Sequence, residues 1–392
     1  MRCKLGDISE ITKLAGYEFT KYIKYIPDGE IIAVRALNLK NGALVLDDIQ
    51  RISKEVSETL PRSQLHKNDI VLSYTGTLGE CAQIREDGKY HLAPNVCKIT
   101  PNDSVVNPNF LFQYIRCEKF KQTLINYAHG STQPTIPMST IRDIPVDIPD
   151  GLEKQGKIAA ILSILDEKIA INRAINDNLE QQAQAVFRQE LLQNGELPPN
   201  WTTGSLLDIA DYLNGLAMQK FRPVDGERGL PVLKIKELRQ GFCDYSSELC
   251  SPNIKPEFIV HDGDVIFSWS GSLLADLWCG GTCGLNQHLF KVTSVKYPKW
   301  FYYTWTAHHL ARFVAIAADK ATTMGHIKRE DLAKAEVIIP DVASMERIGG
   351  VLQPIYDLVI NQRIENRKLS MLRDSLLPKL MSGELDVSAV EL

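Results

Sequence analysis

The sequence predicts an α+β protein built as two mixed α/β domains in tandem. Each is followed by a long helix, and the two helices are expected to pack as an antiparallel coiled coil with pseudo-two-fold symmetry. Three observations carry this expectation. The chain repeats itself once, at a period of about 190 residues. Within each copy, short apolar runs bounded by Gly, Pro, Asn and Asp read as strands. Each copy then ends in a stretch whose apolar residues are spaced alternately four and three apart, the signature of a helix seam.

The repeat is legible residue by residue. Leu65–Leu78 returns as Val260–Leu273, with Asp69, Ser73 and Gly76 matched by Asp264, Ser268 and Gly271. Arg35 and Lys40 return as Lys234 and Arg239, and Lys98 returns as Lys291. Ile136–Asp150 matches Ile327–Asp341. A period this long is too large for a solenoid and means a duplicated domain. Ile31–Val34, Ile70–Leu72 and Val96–Ile99 read as strands, and residues 109–125 and 300–317 as helices.

The helical stretches follow. Ile158, Leu162, Leu165, Ile169, Asn172 and Asn176 occupy successive seam positions, and Ile348, Leu352, Ile355, Val359, Gln362 and Asn366 repeat them at an offset of 190. A helix of about 36 residues would span about 54 Å. Amides in mid-seam cost stability but select register and partner, so Asn172 and Asn176 are expected to face Gln362 and Asn366. The first helix should stop near Gln193-Asn194-Gly195, before Pro198-Pro199. The predicted organisation is 1–152 and 196–342 as the two domains, 153–195 and 343–380 as the helices, and 381–392 as a tail.

Composition bounds the function. The chain has 392 residues, 44% hydrophobic and 23% charged, with a net charge of −4. This is ordinary globular composition. No run approaches the length of a membrane span, and the first residues carry no apolar signal core. Eight cysteines without a regular framework suggest reduced thiols and a cytoplasmic protein. Residues 1–150 hold 18 Lys+Arg and 18 Asp+Glu. A chain so balanced does not coat nucleic acid by charge alone. It is compatible with a reader of shape and base edges that takes positive charge from partners.

Motifs for catalysis fail one by one. Gly151–Ile158 lacks the Ser or Thr that a phosphate-binding loop places after its Lys. Asn107-Pro108-Asn109-Phe110 resembles an amino-methyltransferase motif, but the second copy reads Tyr297-Pro298-Lys299-Trp300. What persists is a helix start and a core aromatic. Pro149-Asp150 with Glu153-Lys154 is too closely spaced for a nuclease carboxylate pair on neighbouring strands. Cys279 and Cys283 with His288 have no counterpart in the first copy and fall short of a four-ligand zinc site. No catalytic residue and no metal site is assigned.

What survives in both copies is a set of polar, planar and basic residues on strand–turn elements. In the first copy these are Arg35, Lys40, Tyr74, Thr75, Thr77, Lys98, Ser131, Thr132 and Gln133. In the second they are Lys234, Arg239, Trp269, Ser270, Ser272, Lys291, Thr322, Thr323 and His326. Hydroxyl-rich turns with an aromatic beside a Gly present small donors and acceptors at close backbone approach, which suits phosphate and groove contacts on double-stranded DNA.

The chain resembles the specificity (S) subunit of type I restriction-modification systems. The residues that carry the resemblance are Leu5–Ile8, echoed by Leu207–Ile209, the turn Asp69–Gly79, Gly130–Ile136 and Gln155–Lys168. The resemblance implies two target recognition domains, each reading one half of a split, asymmetric DNA sequence. It also implies that the helices dock two methyltransferase (M) subunits. S-adenosylmethionine, ATP and Mg would then sit on partner subunits, the last two on the restriction and translocation (R) subunits, and this chain would be non-catalytic. A recognition subunit of a two-subunit enzyme that cuts outside its site and a non-DNA coiled-coil adaptor are the other readings of the same pattern.

Overall fold

The computed structural model describes all residues except 131–132, 193–196, 320–324, 388–389 and 391–392. The chain divides into two compact units: Met1–Glu167 with Ser370–Leu392, and Lys168–Leu369. Each unit therefore contains a globular domain and parts of both long helices, Leu152–Leu191 and Val342–Ser382. Among the described residues no helix is long and apolar enough to cross a membrane.

The globular part of unit 1 holds two four-stranded sheets. One runs Ser9–Lys13, Val96–Pro101, Ile70–Ser73, Cys81–Gln83, antiparallel throughout. The other runs Gln50–Ile52, Ile31–Val34, Tyr90–Leu92, Gln64–Leu65, with Ile31–Val34 and Tyr90–Leu92 parallel. A two-stranded ribbon, Arg2–Lys4 with Pro145–Asp147, joins the domain's two ends. The strands Ile31–Val34 and Ile70–Ser73 are buried at every residue, which explains why they read as continuous apolar runs rather than alternating ones.

Unit 2 repeats the two four-stranded sheets, while the small hairpin Leu39–Lys40 with Ala43–Leu44 of unit 1 is replaced there by the helix Ile235–Gln240. Asp211–Asn214, Leu289–Thr293, Val265–Ser268 and Leu274–Leu277 form the antiparallel sheet. Leu249–Cys250, Leu230–Leu233, Cys283–Leu285 and Ile259–Val260 form the mixed one, again with a central parallel pair. The repeated turn before the second sheet strand shows why its sequence persists. Asn68 and Gly263 sit at φ of 74° and 86°, a region that Asn and Gly tolerate. Asp69 and Asp264 then accept from the backbone N–H of His66 and His261 at 2.7 and 2.8 Å.

The helix after each sheet packs as the repeat suggests. Asn107 caps Pro108–Arg116 by accepting from Asn109 and Phe110, and Phe110 is fully buried. Gln155 at the start of the first long helix is also buried. Its Oε1 accepts from the Asn107 N–H at 2.7 Å and its Nε2 donates to the Pro149 carbonyl at 2.9 Å.

In each unit the two helices pair antiparallel. In unit 1, Ile158, Ala159 and Leu162 share a core with Leu377 and Leu380. Asp166 accepts there from Gln113 at 2.6 Å, from Arg116, and from Arg373 at 2.9 Å. In unit 2, Asn172 Nδ2 donates to Asn366 Oδ1 at 2.9 Å and to Glu365 at 2.7 Å, while Arg363 reaches Glu180 and Arg347 reaches Glu190, each at 2.7 Å. The partner numbers fall on one helix as they rise on the other, which defines the direction.

The seam departs from strict four–three spacing. Ile158, Leu162, Ile169, Ile348, Leu352 and Val359 are buried, but Leu165 and Ile355 are only half-buried, and Tyr356 takes the interior place beside Ile355. Further along, Phe187 and Leu191 of the first helix and Leu377 of the second are buried. The reason is a second packing partner. Tyr356 packs edge-on against Tyr303 and its hydroxyl accepts from Thr304, so the helix buries residues toward the globular domain as well as toward its mate. The expected pairing of all four amides is met only by Asn172 with Asn366. Asn176 Oδ1 and Gln362 Oε1 are buried without a hydrogen-bond partner.

These two observations generate opposite expectations. Asp166→Ala removes the shared acceptor of two largely buried guanidinium groups and should destabilise unit 1 by about 3 kcal/mol. Asn176→Leu puts apolar surface in place of an amide whose buried oxygen is unpaired and should stabilise unit 2 by about 1 kcal/mol. Urea denaturation followed by residue-resolved hydrogen exchange checks both, because it separates the two units.

Candidate nucleic-acid interface

The two polar elements singled out in each copy are brought together by backbone hydrogen bonds. In unit 1, the turn after Ile70–Ser73 docks on the loop that follows residue 128. Gly76 N–H donates to the Pro134 carbonyl at 2.8 Å, Ile136 N–H donates to the Tyr74 carbonyl at 3.0 Å, and the Thr75 and Thr135 hydroxyls meet at 2.8 Å. His129 and Thr135 pair as an antiparallel bridge, and Ser131 and Thr132 lie outside the described residues. Gln133 and Thr77 are exposed. Inside the turn, Ser73 Oγ donates to the Thr77 carbonyl, which closes it from below.

Unit 2 builds the same platform. Gly271 N–H donates to the Gly325 carbonyl at 3.2 Å, Ile327 N–H donates to the Trp269 carbonyl at 2.9 Å, and Ser270 bridges to His326. Ser268 Oγ donates to the Ser272 carbonyl at 2.9 Å. Thr322 and Thr323 lie outside the described residues. The aromatic in each turn is steadied from the edge strand of the antiparallel sheet. Lys13 Nζ lies 5.5 Å from the Tyr74 ring centroid, and Trp269 Nε1 donates to Asn214 Oδ1 at 2.9 Å. Burial raises the Tyr74 pKa, so its phenol stays protonated and can both donate and accept.

The basic residues divide. Lys40 and Arg239 are exposed and stand ready for a phosphate. Arg35 is engaged with Asp48, through its side chain at 3.0 Å and its carbonyl at 2.8 Å, and Lys234 is paired with Glu248. Lys98 and Lys291 are corrections to the sequence-based expectation. Lys98 is only 9% exposed and donates to the Gln64 carbonyl at 3.0 Å, with Asp69 at 4.0 Å. Lys291 donates to the Ile259 carbonyl at 2.9 Å and pairs with Asp264 at 2.8 Å. Their charge persists between the copies because it ties two strands together inside the domain.

Sequence reading missed two features. Residues 13–25 interleave Lys13, Lys21 and Lys24 with Tyr17, Tyr22 and Tyr25, all exposed, in a segment that begins beside Tyr74. Alternating Lys and Tyr was the available signal, since cations and aromatic faces together suit a nucleic-acid strand. The second is the loop Asn286-Gln287-His288, which lies against Trp269. The unbroken match of Leu92–Thr100 with Leu285–Thr293 would have found it. Among the described residues no cluster of His, Cys, Asp or Glu could hold a metal ion, and the eight cysteines are free thiols.

Duplicated mixed domains, each ending in a long helix and presenting a polar turn platform, define a class of tandem recognition proteins. Residues 1–181 match the model of the type I restriction modification DNA specificity domain. The MjaIX specificity subunit of a type I restriction enzyme from Methanocaldococcus jannaschii is 27% identical over 322 residues, 74% of this chain and 71% of the relative. The EcoKI specificity subunit of Escherichia coli K12 is 24% identical over 426 residues, 97% of this chain and 89% of the relative. The crystal structure of a type I S subunit from M. genitalium shares the fold, with a TM-score of 0.54 at 13% identity over 97% of this chain and 95% of that one. Over residues 1–181, and along most of its length in these relatives, the chain is thus similar to type I restriction-modification specificity subunits.

The two kinds of lysine on these strands and turns should behave differently. Lys291→Met leaves Asp264 without its cation and should lower the stability of unit 2 by about 1–3 kcal/mol. Its effect on DNA base preference should be nil. Chemical denaturation and selection from a random duplex pool check the two halves of that statement.

Proposed function

We propose that the chain is the sequence-reading subunit of a type I restriction-modification complex, with unit 1 and unit 2 each reading one half of a bipartite, asymmetric DNA target. The observation that carries this reading is the duplicated platform. The same backbone hydrogen bonds present Tyr74, Thr75 and Thr135 in one unit and Trp269, Ser270 and His326 in the other. A common scaffold with unlike side chains is what two different half-sites require, because base edges are told apart by their donor and acceptor patterns. The family match and the names of the relatives point the same way.

Recognition is this chain's share of the work. Two M subunits supply S-adenosylmethionine and methyl transfer, and R subunits supply ATP- and Mg-dependent translocation and cleavage. The helices are the surface for the M subunits. In unit 2, Ile171 and Leu358 are 55% and 43% exposed, and Ile175 and Val351 are exposed as well. Apolar side chains so accessible along two helices suit a protein partner.

Methylation profiling of the assembled complex tests the reading. The wild-type complex should modify a two-part motif, and Gln133→Ala should change preference in one part only. Loss of preference in both parts would overturn the one-unit-per-half arrangement. Ile171→Asp with Leu358→Asp should abolish co-purification with the M subunits while leaving the melting of the chain unchanged. Retained co-purification would remove these helix faces from the docking role.

A further inference from the structure

We propose that His288 is a specificity-determining residue of unit 2, its imidazole held by Ser270 and Trp269 so that it meets a base edge in one half of the target. The inference rests on the DNA-reading function proposed above. It begins from an address shared by the two units. Trp269 N–H donates to the His288 carbonyl at 3.4 Å, and Tyr74 N–H donates to the Asn95 carbonyl at 3.2 Å. Two residues earlier, Asn286 N–H donates to the Leu233 carbonyl and Ala93 N–H donates to the Val34 carbonyl, at 3.2 and 3.1 Å. His288 and Asn95 therefore occupy the same place beside the platform turn, and both are exposed. The main-chain bonds are common, but Asn95 takes a left-handed φ of 71° that His288 does not share, and the side-chain chemistry differs as well.

The unit 2 loop is rigidly built. Gln287 N–H donates to the Leu216 carbonyl at 2.9 Å, Leu289 N–H donates to the Asn286 carbonyl at 3.0 Å, and His288 N–H donates to Asn286 Oδ1 at 3.2 Å. The ring itself is oriented. Its Nδ1 lies 3.0 Å from Ser270 Oγ, and Ser270 is buried. Its face packs at 6.1 Å from the Trp269 ring. A side chain pinned by a buried hydroxyl and an indole loses little freedom on binding, which is what a recognition contact needs.

The partners also select a tautomer. Gln287 Nε2 lies 3.4 Å from His288 Nε2, and an amide nitrogen only donates. The imidazole Nε2 is then the acceptor, and Nδ1 carries the proton and donates to Ser270 Oγ. When a base edge takes the place of the Gln287 amide, the Nε2 lone pair it frees matches the exocyclic amino groups that adenine and cytosine present in the major groove. Asn95 offers an amide at the equivalent place in unit 1, so the two units would differ at this contact.

The test is selection from a random duplex pool by the full chain co-expressed with its methyltransferase subunits, read by sequencing. The wild-type complex should enrich a two-part motif. His288→Ala should lower the preference at one base pair of one part by about tenfold and leave the other part intact. His288→Asn, which installs the unit 1 residue, should replace that preference rather than erase it. A two-part wild-type motif that His288→Ala leaves unchanged overturns the inference and spares the DNA-reading function. A uniform loss of enrichment at all positions, with wild-type melting, also overturns it, because it makes His288 a general affinity contact. Enrichment of nothing by the wild-type complex overturns the function on which the inference rests.

Discussion

The structure depends on closing each core with helix segments that are remote in sequence. In unit 1, Ile158 and Leu162 need Leu377 and Leu380, which follow more than two hundred residues later. In unit 2, Ala183 and Phe187 share a core with Ile348, Leu352 and Tyr356. Removing that apolar surface from water is the main favourable term, and it is available only when both long helices have formed and met. Charged groups then select the alignment. Asp166 is shared by Arg116 and Arg373, Asp276 and Glu180 are gathered by Arg363, and Arg367 grips Asp262 through both of its oxygens. Burial disfavours the charge on Arg363, but the two carboxylates outweigh it and hold its pKa above the usual value. Such groups contribute alignment more than net stability, since desolvation offsets much of the attraction.

That arrangement frees the sheets for another task. With the core closed behind them, the turns after Ile70–Ser73 and Val265–Ser268 are held by two main-chain bonds to a neighbouring loop, and by a serine hydroxyl from beneath. None of these bonds depends on the exposed side chains. Substitution at the platform surface can therefore change what is recognised without disturbing how the platform is made. Tyr74 against Trp269, and Asn95 against His288, are instances within this one chain.

The charge distribution follows the same division. Of the basic residues that recur between the copies, two pairs serve the interior or a local pair: Lys98 and Lys291 join strands, and Arg35 and Lys234 hold acidic neighbours. Exposed cations are Lys40 and Arg239, which recur, and those of the Lys–Tyr segment of residues 13–25, which does not. A net charge of −4 then describes the chain without describing the surface that would meet DNA.

The sequence alone determined the duplication, the mixed domains, the long helices and the turns that form the platform. These are local or periodic properties: a repeat is visible in letters, a helix in apolar spacing, a tight turn in Asn68 and Gly263. Tertiary structure decided which polar residues reach the surface, because Lys40 and Lys98 are equally basic in a string and differ only in what packs over them. It decided the seam in the same way. The four–three pattern identifies a helix with one partner, whereas Tyr356 answers to two, and the side chain that turns inward is settled by the neighbours that arrive from elsewhere in the chain.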